Sequence, residues 1–173
     1  TRVVGTLAHR LLARLAAGPW DDARHAALAP RVRADLAGAG FATDEIEPFA
    51  QRVLDVVRHT LADTRGRWLF DPTHAEARSE WALAGVDGGE IVHIVVDRTF
   101  VADGVRWIVD FKTGTHEGGD AEAFLDAEAA RYLPQLARYA RIVGALDPRP
   151  VRIALYHPLV PGGFRELPPG GQR

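Results

Sequence analysis

The stretch that decides the fold is Ile91–Gly114, with the sequence IVHIVVDRTFVADGVRWIVDFKTG. Two apolar runs flank Asp103-Gly104, a dipeptide that accepts positive φ and favours a two-residue hairpin turn. If Ala102 faces Val105 across that turn, counting back along both strands places Asp97 opposite Asp110. Lys112 shares the face of Asp110, because side chains two apart on a strand point the same way. An apolar row takes the other face: Val105, Trp107, Val109 and Phe111.

Two facing aspartates in an apolar hairpin require an explanation. Like charges directly opposite repel each other, and burying them is unfavourable unless they are paired. A divalent cation removes both problems, since Mg²⁺ and Mn²⁺ prefer oxygen ligands and are often held by one or two carboxylates. The alternative is that Asp97 and Asp110 are solvated aspartates on a sheet edge.

Lys112 is the only lysine of the chain, against 21 lysines and arginines together. Arginine carries a broad fork that is always charged, whereas lysine carries a compact point charge. A site that orients a water, or neutralises charge on a phosphoryl oxygen, can require the compact cation. The lysine therefore favours a functional reading of the two aspartates.

Asp97 followed by Asp110-Phe111-Lys112 resembles the D…D-x-K motif of the PD-(D/E)XK nuclease superfamily. The closest resemblance is to its RecB/AddA-like branch, the nuclease domain at the C-terminus of UvrD-type helicase–nucleases. Further signals of that branch are present over roughly residues 5–157: Gly5 and His9 near the start, Asp97-Arg98 after the second strand, and Gln135 with Tyr139 in Q-x-x-x-Y spacing. One signal is missing, because Ile94 stands where the branch has a glycine.

The resemblance implies the fold and the domain organisation. The expected fold is α/β, a restriction-endonuclease-like core of order αβββαβ with a mixed central sheet flanked by helices. Residues 1–173 would form a single RecB-like nuclease domain, with a helical insertion over about 20–66 and a core over about 1–18 and 77–157. A Pro/Gly-rich tail follows over 158–173.

The resemblance also implies the site. Asp97, Asp110 and the backbone carbonyl of Phe111 would ligate Mg²⁺ or Mn²⁺. Lys112 would orient the attacking water or neutralise the phosphate, while Gln135 and Tyr139 would position Lys112 or the strand backbone.

Two further ligands depend on local structure. His9 lies at the margin of an apolar helical stripe, so it is either a metal ligand or a satisfied core histidine. Glu80 precedes Gly88-Gly89: a two-residue turn there pairs Glu80 with Asp97, and one extra residue rotates Glu80 to the other face.

Composition excludes several classes of protein. The absence of cysteine excludes disulfides, thiolate zinc sites and a Cys-held Fe–S cluster. We find no P-loop and therefore expect no ATP site. No apolar run approaches the length of a membrane span, and no signal peptide opens the chain. The resemblance implies a cytoplasmic, nucleoid-associated protein. The formal net charge of −2 gives no global attraction to DNA. A start at Thr1 without any methionine suggests a piece of a longer protein.

Periodicity and end signals predict the remaining elements. We expect helices over Thr6–Leu15, ended by Gly18-Pro19, over Trp20–Gly40, over Thr43–Asp63 with Thr43 as the cap, and over Ala121–Leu146, where Pro134 either kinks the helix or starts a second segment. We expect strands over Ala77–Val86, over Val151–Tyr156 in an interior position and over Phe164–Leu167 at an edge.

The function expected from the resemblance is metal-dependent hydrolysis of DNA, as the exonuclease domain of a helicase–nuclease in end processing and double-strand break repair. Its partners would be linear DNA ends or single strands, the helicase domain of the same parent chain and a second subunit. The alternatives are a catalytically silent module that binds DNA or braces a helicase, and a stand-alone restriction- or repair-type nuclease.

Overall fold

The computed structural model describes residues 2–15, 22–116 and 118–168. These residues fall into two compact units, which divide after Pro72. The first unit contains four helices: α1 (Arg2–Leu15), α2 (Asp22–Gly38), α3 (Thr43–Ala62) and α4 (Thr64–Leu69). The predicted stop at Gly18-Pro19 and the predicted start at Trp20 lie outside the described residues.

Within the first unit, α1 and α2 both contact α3, and α3 contacts α4. Each long helix buries residues three or four apart, as an amphipathic helix does. The buried residues of α3 illustrate the spacing: Ala50, Val53, Val56, Val57 and Thr60. The predicted helices are therefore present, although α1 begins earlier than expected and includes Gly5.

Two details of the first unit differ from expectation. Thr43 is the first helical residue of α3 and not its cap; the cap is Ala42, whose backbone N–H donates to the Glu45 side chain at 3.0 Å. The short helix α4 was not predicted, because a helix of 6 residues is too short to show a period. The Asp63 carboxylate caps α4 by accepting from the backbone N–H groups of Arg65 and Gly66.

The second unit is a five-stranded sheet with one long helix. Its strands are β1 (Ala75–Asp87), β2 (Glu90–Ala102), β3 (Val105–Phe111), β4 (Val151–Tyr156) and β5 (Phe164–Leu167), and α5 (Ala121–Gly144) connects β3 to β4. The strands lie in the order β1-β2-β3-β4-β5, and all pairs are antiparallel except β3 with β4. This mixed sheet confirms the predicted αβββαβ order, the interior place of β4 and the edge place of β5.

Two tight turns fix the register of β1, β2 and β3. Asp103 and Gly104 have φ of 51° and 74°, which is the conformation that a type I′ hairpin turn needs. The β2–β3 register then runs from Ala102↔Val105 to Arg98↔Val109, as predicted. Gly88 and Gly89 form the second two-residue turn, so Asp87 pairs with Glu90.

The α5 helix runs through Pro134 without a second start. It covers one face of the sheet, and the core between them includes Ile94, Ile108, Leu136, Ile142, Val143, Ile153, Leu155 and Leu167. Every residue of β3 from Arg106 onward is buried, so the face that carries Asp110 is as enclosed as the predicted apolar row. Among the described residues, no helix combines the length and hydropathy that a bilayer crossing requires.

Candidate active site

Asp110 and Lys112 meet at the end of β3. Asp110 is only 6% exposed, and its Oδ2 lies 2.7 Å from the Lys112 ammonium nitrogen Nζ. Lys112 comes directly after the last residue of β3, and its backbone N–H donates to the Tyr156 carbonyl at 2.9 Å. The neighbouring strand β4 therefore holds the chain in place beyond the end of the ladder, where the lysine projects.

Gln135 and Tyr139 reach this carboxylate from α5. The Gln135 amide nitrogen Nε2 lies 3.4 Å from Asp110 Oδ1 and 3.1 Å from the Tyr139 hydroxyl oxygen. The helical spacing of four residues places both side chains over the end of β3. The glutamine thus contacts Asp110 directly and reaches Lys112 only through it.

Tyr139 is neutral at physiological pH. Burial raises the pKa of its hydroxyl, and the nearby negative charges of Asp110 and Asp97 raise it further, against the opposing effects of Gln135 and Lys112. The phenol therefore keeps its proton.

Asp97 contacts the D-x-K segment through a hydrogen bond. The β2–β3 ladder has the predicted register and ends at Arg98↔Val109, one residue before Asp97 and Asp110. The Asp97 carboxylate oxygen Oδ2 accepts from the Phe111 backbone N–H at 2.7 Å. This hydrogen bond joins the first aspartate of the motif to the D-x-K segment.

Glu80 lies across from Asp97 on β1. The pairs Ser79↔Arg98 and Trp81↔Val96 flank the two residues, and a carboxylate oxygen of each lies within 4.8 Å of the other. Glu80 has a φ of 50°, a left-handed conformation that is uncommon for a residue other than glycine. Because the Gly88-Gly89 turn has two residues, the register of β1 and β2 brings Glu80 opposite Asp97, the first aspartate of the motif.

The structure says less about the two remaining predicted ligands, His9 and the backbone carbonyl of Phe111. His9 lies on α1 and is half-buried, but it belongs to the first unit, so its place at a metal site stays a prediction from the motif. The backbone carbonyl of Phe111 stays a prediction as well.

These donors fit a hard divalent cation. Glu80, Asp97 and Asp110 offer only carboxylate oxygens, the ligands that Mg²⁺ and Mn²⁺ prefer. Two carboxylates within 4.8 Å of each other repel unless a positive charge lies near them. A cation bound between them would supply that charge.

The structure adds one neighbour of Lys112 that the motif did not identify. The ring of Tyr132 on α5 has its centroid 3.8 Å from Lys112 Nζ. The available signal in the sequence was spacing alone: Tyr132, Gln135 and Tyr139 stand at i, i+3 and i+7, which is one face of a helix. Nothing in that spacing showed which side chain the ring touches.

Comparison with protein families identifies one match. The profile of the PD-(D/E)XK nuclease superfamily matches residues 1–163. No curated protein matches the chain.

Proposed function

This chain belongs to the PD-(D/E)XK nuclease superfamily, and from that premise we propose that it is a Mg²⁺- or Mn²⁺-dependent deoxyribonuclease. Members of the superfamily are mostly nucleases that hydrolyse phosphodiester bonds, and they usually use divalent metals such as Mg²⁺. The single observation that carries the proposal is the buried Asp110 carboxylate, which lies 2.7 Å from the only lysine and is also contacted by Gln135.

In the proposed mechanism, Asp97, Asp110 and Glu80 would hold the metal, with the Phe111 carbonyl and His9 as further ligands. A divalent cation bound there would act as a Lewis acid and lower the pKa of bound water. Lys112 orients the attacking water, or neutralises charge on the phosphate, through the three N–H groups of its ammonium. Gln135 holds Asp110, and neutral Tyr139 holds Gln135.

The finer assignment rests on the RecB-like signals. Gly5 with His9 and Gln135 with Tyr139 support an exonuclease domain of a helicase–nuclease that acts at DNA ends during double-strand break repair. The partners would then be linear or single-stranded DNA, a helicase domain of the same parent chain and a second subunit, in the cytoplasm. The net charge of −2 means that local arginines, the metal or a neighbouring domain must hold the DNA.

The test measures release of acid-soluble nucleotides from linear DNA in Mg²⁺, in Mn²⁺ or in EDTA. We expect release that requires the metal and that Lys112→Ala abolishes, while the fold, followed by circular dichroism, stays intact. Exposed Arg58→Ala on α3 is the control for the loss of one cation. Wild-type rates in Lys112→Ala would contradict the mechanism.

Two further measurements separate the alternatives. Covalently closed single-stranded DNA should resist an exonuclease and be cut by an endonuclease. If the wild type releases nothing, calorimetry with Mn²⁺ decides: specific binding that is lost in Asp110→Ala indicates a nuclease that needs its partner, and weak binding unaffected by the substitution indicates a silent module.

A further inference from the structure

The ammonium group of Lys112 has two neighbours of different chemistry. One is the Asp110 carboxylate, with Oδ2 at 2.7 Å, and the other is the face of Tyr132, with the ring centroid at 3.8 Å. The Lys112 side chain is 21% exposed, so most of it is withdrawn from water. A lysine side chain has a flexible stem of four carbons and a large rotamer entropy, so it needs contacts to hold the ammonium in one position.

The two contacts respond differently to a metal ion. In the proposed site the Asp110 oxygens would ligate the cation, which would share their charge and weaken their attraction for Lys112. An aromatic face does not compete for Mg²⁺ or Mn²⁺, because these ions select oxygen ligands. The contact with Tyr132 is therefore the one that survives metal binding.

The aromatic contact also leaves the ammonium free to act. A cation over a ring is attracted by the ring quadrupole, and that attraction does not require a directed hydrogen bond. The ammonium keeps N–H donors for a water or a phosphoryl oxygen. A second carboxylate in the same place would occupy a donor and would repel the phosphate.

We propose that Tyr132 is a positioning residue, whose ring face fixes the Lys112 ammonium for the reaction when Asp110 is engaged by the metal. This inference rests on the proposed nuclease function and adds to it. On this reading α5 controls both ends of the D-x-K segment, since Gln135 holds the aspartate and Tyr132 holds the lysine. The ring is required and the hydroxyl is not.

The first test needs no activity, because the chain has a single lysine. In protein labelled with ¹³C-lysine, one pair of ε-methylene cross-peaks reports on Lys112. A ring face beside the ammonium shifts these protons upfield. We expect the upfield shift in the wild type and in Tyr132→Phe, and its loss in Tyr132→Leu.

Arg131→Ala is the matched control for that spectrum. The Arg131 guanidinium also lies over the Tyr132 ring, at 5.3 Å, but its side chain is 70% exposed and it pairs with Glu128. Its removal should leave the lysine signals unchanged. Identical lysine shifts in the wild type and Tyr132→Leu, with or without Mg²⁺, would overturn the proposed contact.

The second test is kinetic and uses the same variants at saturating metal. We expect Tyr132→Leu to lower kcat about tenfold with little change in KM, whereas Tyr132→Phe stays within about twofold of the wild type. Equal losses in both variants would assign the effect to the hydroxyl and overturn the proposal. Full activity in Tyr132→Leu beside an inactive Lys112→Ala would overturn the positioning role alone, and an inactive wild type would count against the proposed function instead.

Discussion

Asp110 shows what the site demands of a single residue. It is a carboxylate with 6% exposure, held between the Lys112 ammonium and the Gln135 amide. A buried charge is tolerated only when it is paired and hydrogen-bonded, and here both partners come from chemically different groups. Glu80 accepts a comparable local penalty in its backbone, with a positive φ inside a strand.

His157 is a second buried polar residue, and it follows β4. Among the described residues, neither of its ring nitrogens has a hydrogen-bond partner. Burial lowers its pKa to about 4 from an ordinary 6.5; Lys112 and Arg165 also lower the pKa, and Glu128 opposes them. The imidazole is therefore neutral at physiological pH and packs as an aromatic ring beside Phe124, with centroids 5.7 Å apart.

This pKa predicts a pH-dependent loss of stability. Between pH 6.5 and 4 the unfolded chain binds the proton of His157 and the folded protein does not, so the free energy of unfolding falls as the pH is lowered through this range. We expect His157→Leu to remove on the order of 2–3 kcal/mol of that fall, because one pKa unit corresponds to about 1.4 kcal/mol. Urea unfolding of both proteins at pH 7.5 and 4.5 measures the difference. The same pH dependence in both proteins would contradict the prediction.

At the scale of elements, α5 is the part of the fold that assembles the site. It supplies Tyr132, Gln135 and Tyr139, and it packs on β1 as well as on β3, β4 and β5. The packing on β1 is close at Gly85, where an added Cβ would lie 2.5 Å from Ile142 Cγ2. Glycine at this position lets the helix approach the strand that carries Glu80.

We therefore expect Gly85→Ala to lower the free energy of unfolding by about 1–3 kcal/mol, the usual effect of overpacking a core. Ile142→Ala removes the obstructing atoms and by itself destabilises by about 2–5 kcal/mol, because it leaves a cavity. The double variant should then be less destabilised than the two single variants together. A double-mutant cycle by chemical denaturation measures the coupling, and strict additivity would show that the two residues do not meet.

A second group of charged residues lies at the start of β1 and β3, away from the candidate site at the end of β3. Arg106, at the start of β3, bonds to Asp147 at 2.7 Å and to Glu76, and Arg149 bonds to the same two acids. Two arginines and two carboxylates neutralise one another here, and the group joins the start of β1 to the connection between α5 and β4. We assign it a structural role, since its charges satisfy each other.

At the scale of the molecule, the chain combines a helical unit with a unit that carries the sheet, and most of the proposed ligands belong to the latter. The formal net charge of the chain is −2, so the chain has no overall excess of positive charge to balance the carboxylates of the site. Binding of a cation to these carboxylates should stabilise the folded protein against unfolding, because the unfolded chain lacks the assembled carboxylates.

We expect Mn²⁺ at a hundredfold excess over its dissociation constant to add about 2.7 kcal/mol to the free energy of unfolding. Asp97→Asn and Asp110→Asn should lose this increment, whatever their own effect on the metal-free protein. Asp103→Asn is the matched control, because it makes the same change in the turn of the same hairpin, where asparagine accepts the positive φ. Thermal melts with Mn²⁺ and with EDTA provide the measurement. An increment that persists in both site variants would place the metal elsewhere.

The sequence by itself determined the hairpin registers, because Asp103-Gly104 and Gly88-Gly89 are turn signals that act over a few residues. It also determined the order of elements and the helical face that carries Gln135 and Tyr139, since both depend on local periodicity. The tertiary structure decided that the Asp97 carboxylate accepts from the Phe111 N–H. It also decided that Tyr132 lies against Lys112. These contacts depend on where the β2–β3 ladder ends and on how α5 lies across the sheet, and the packing of residues distant in sequence sets both.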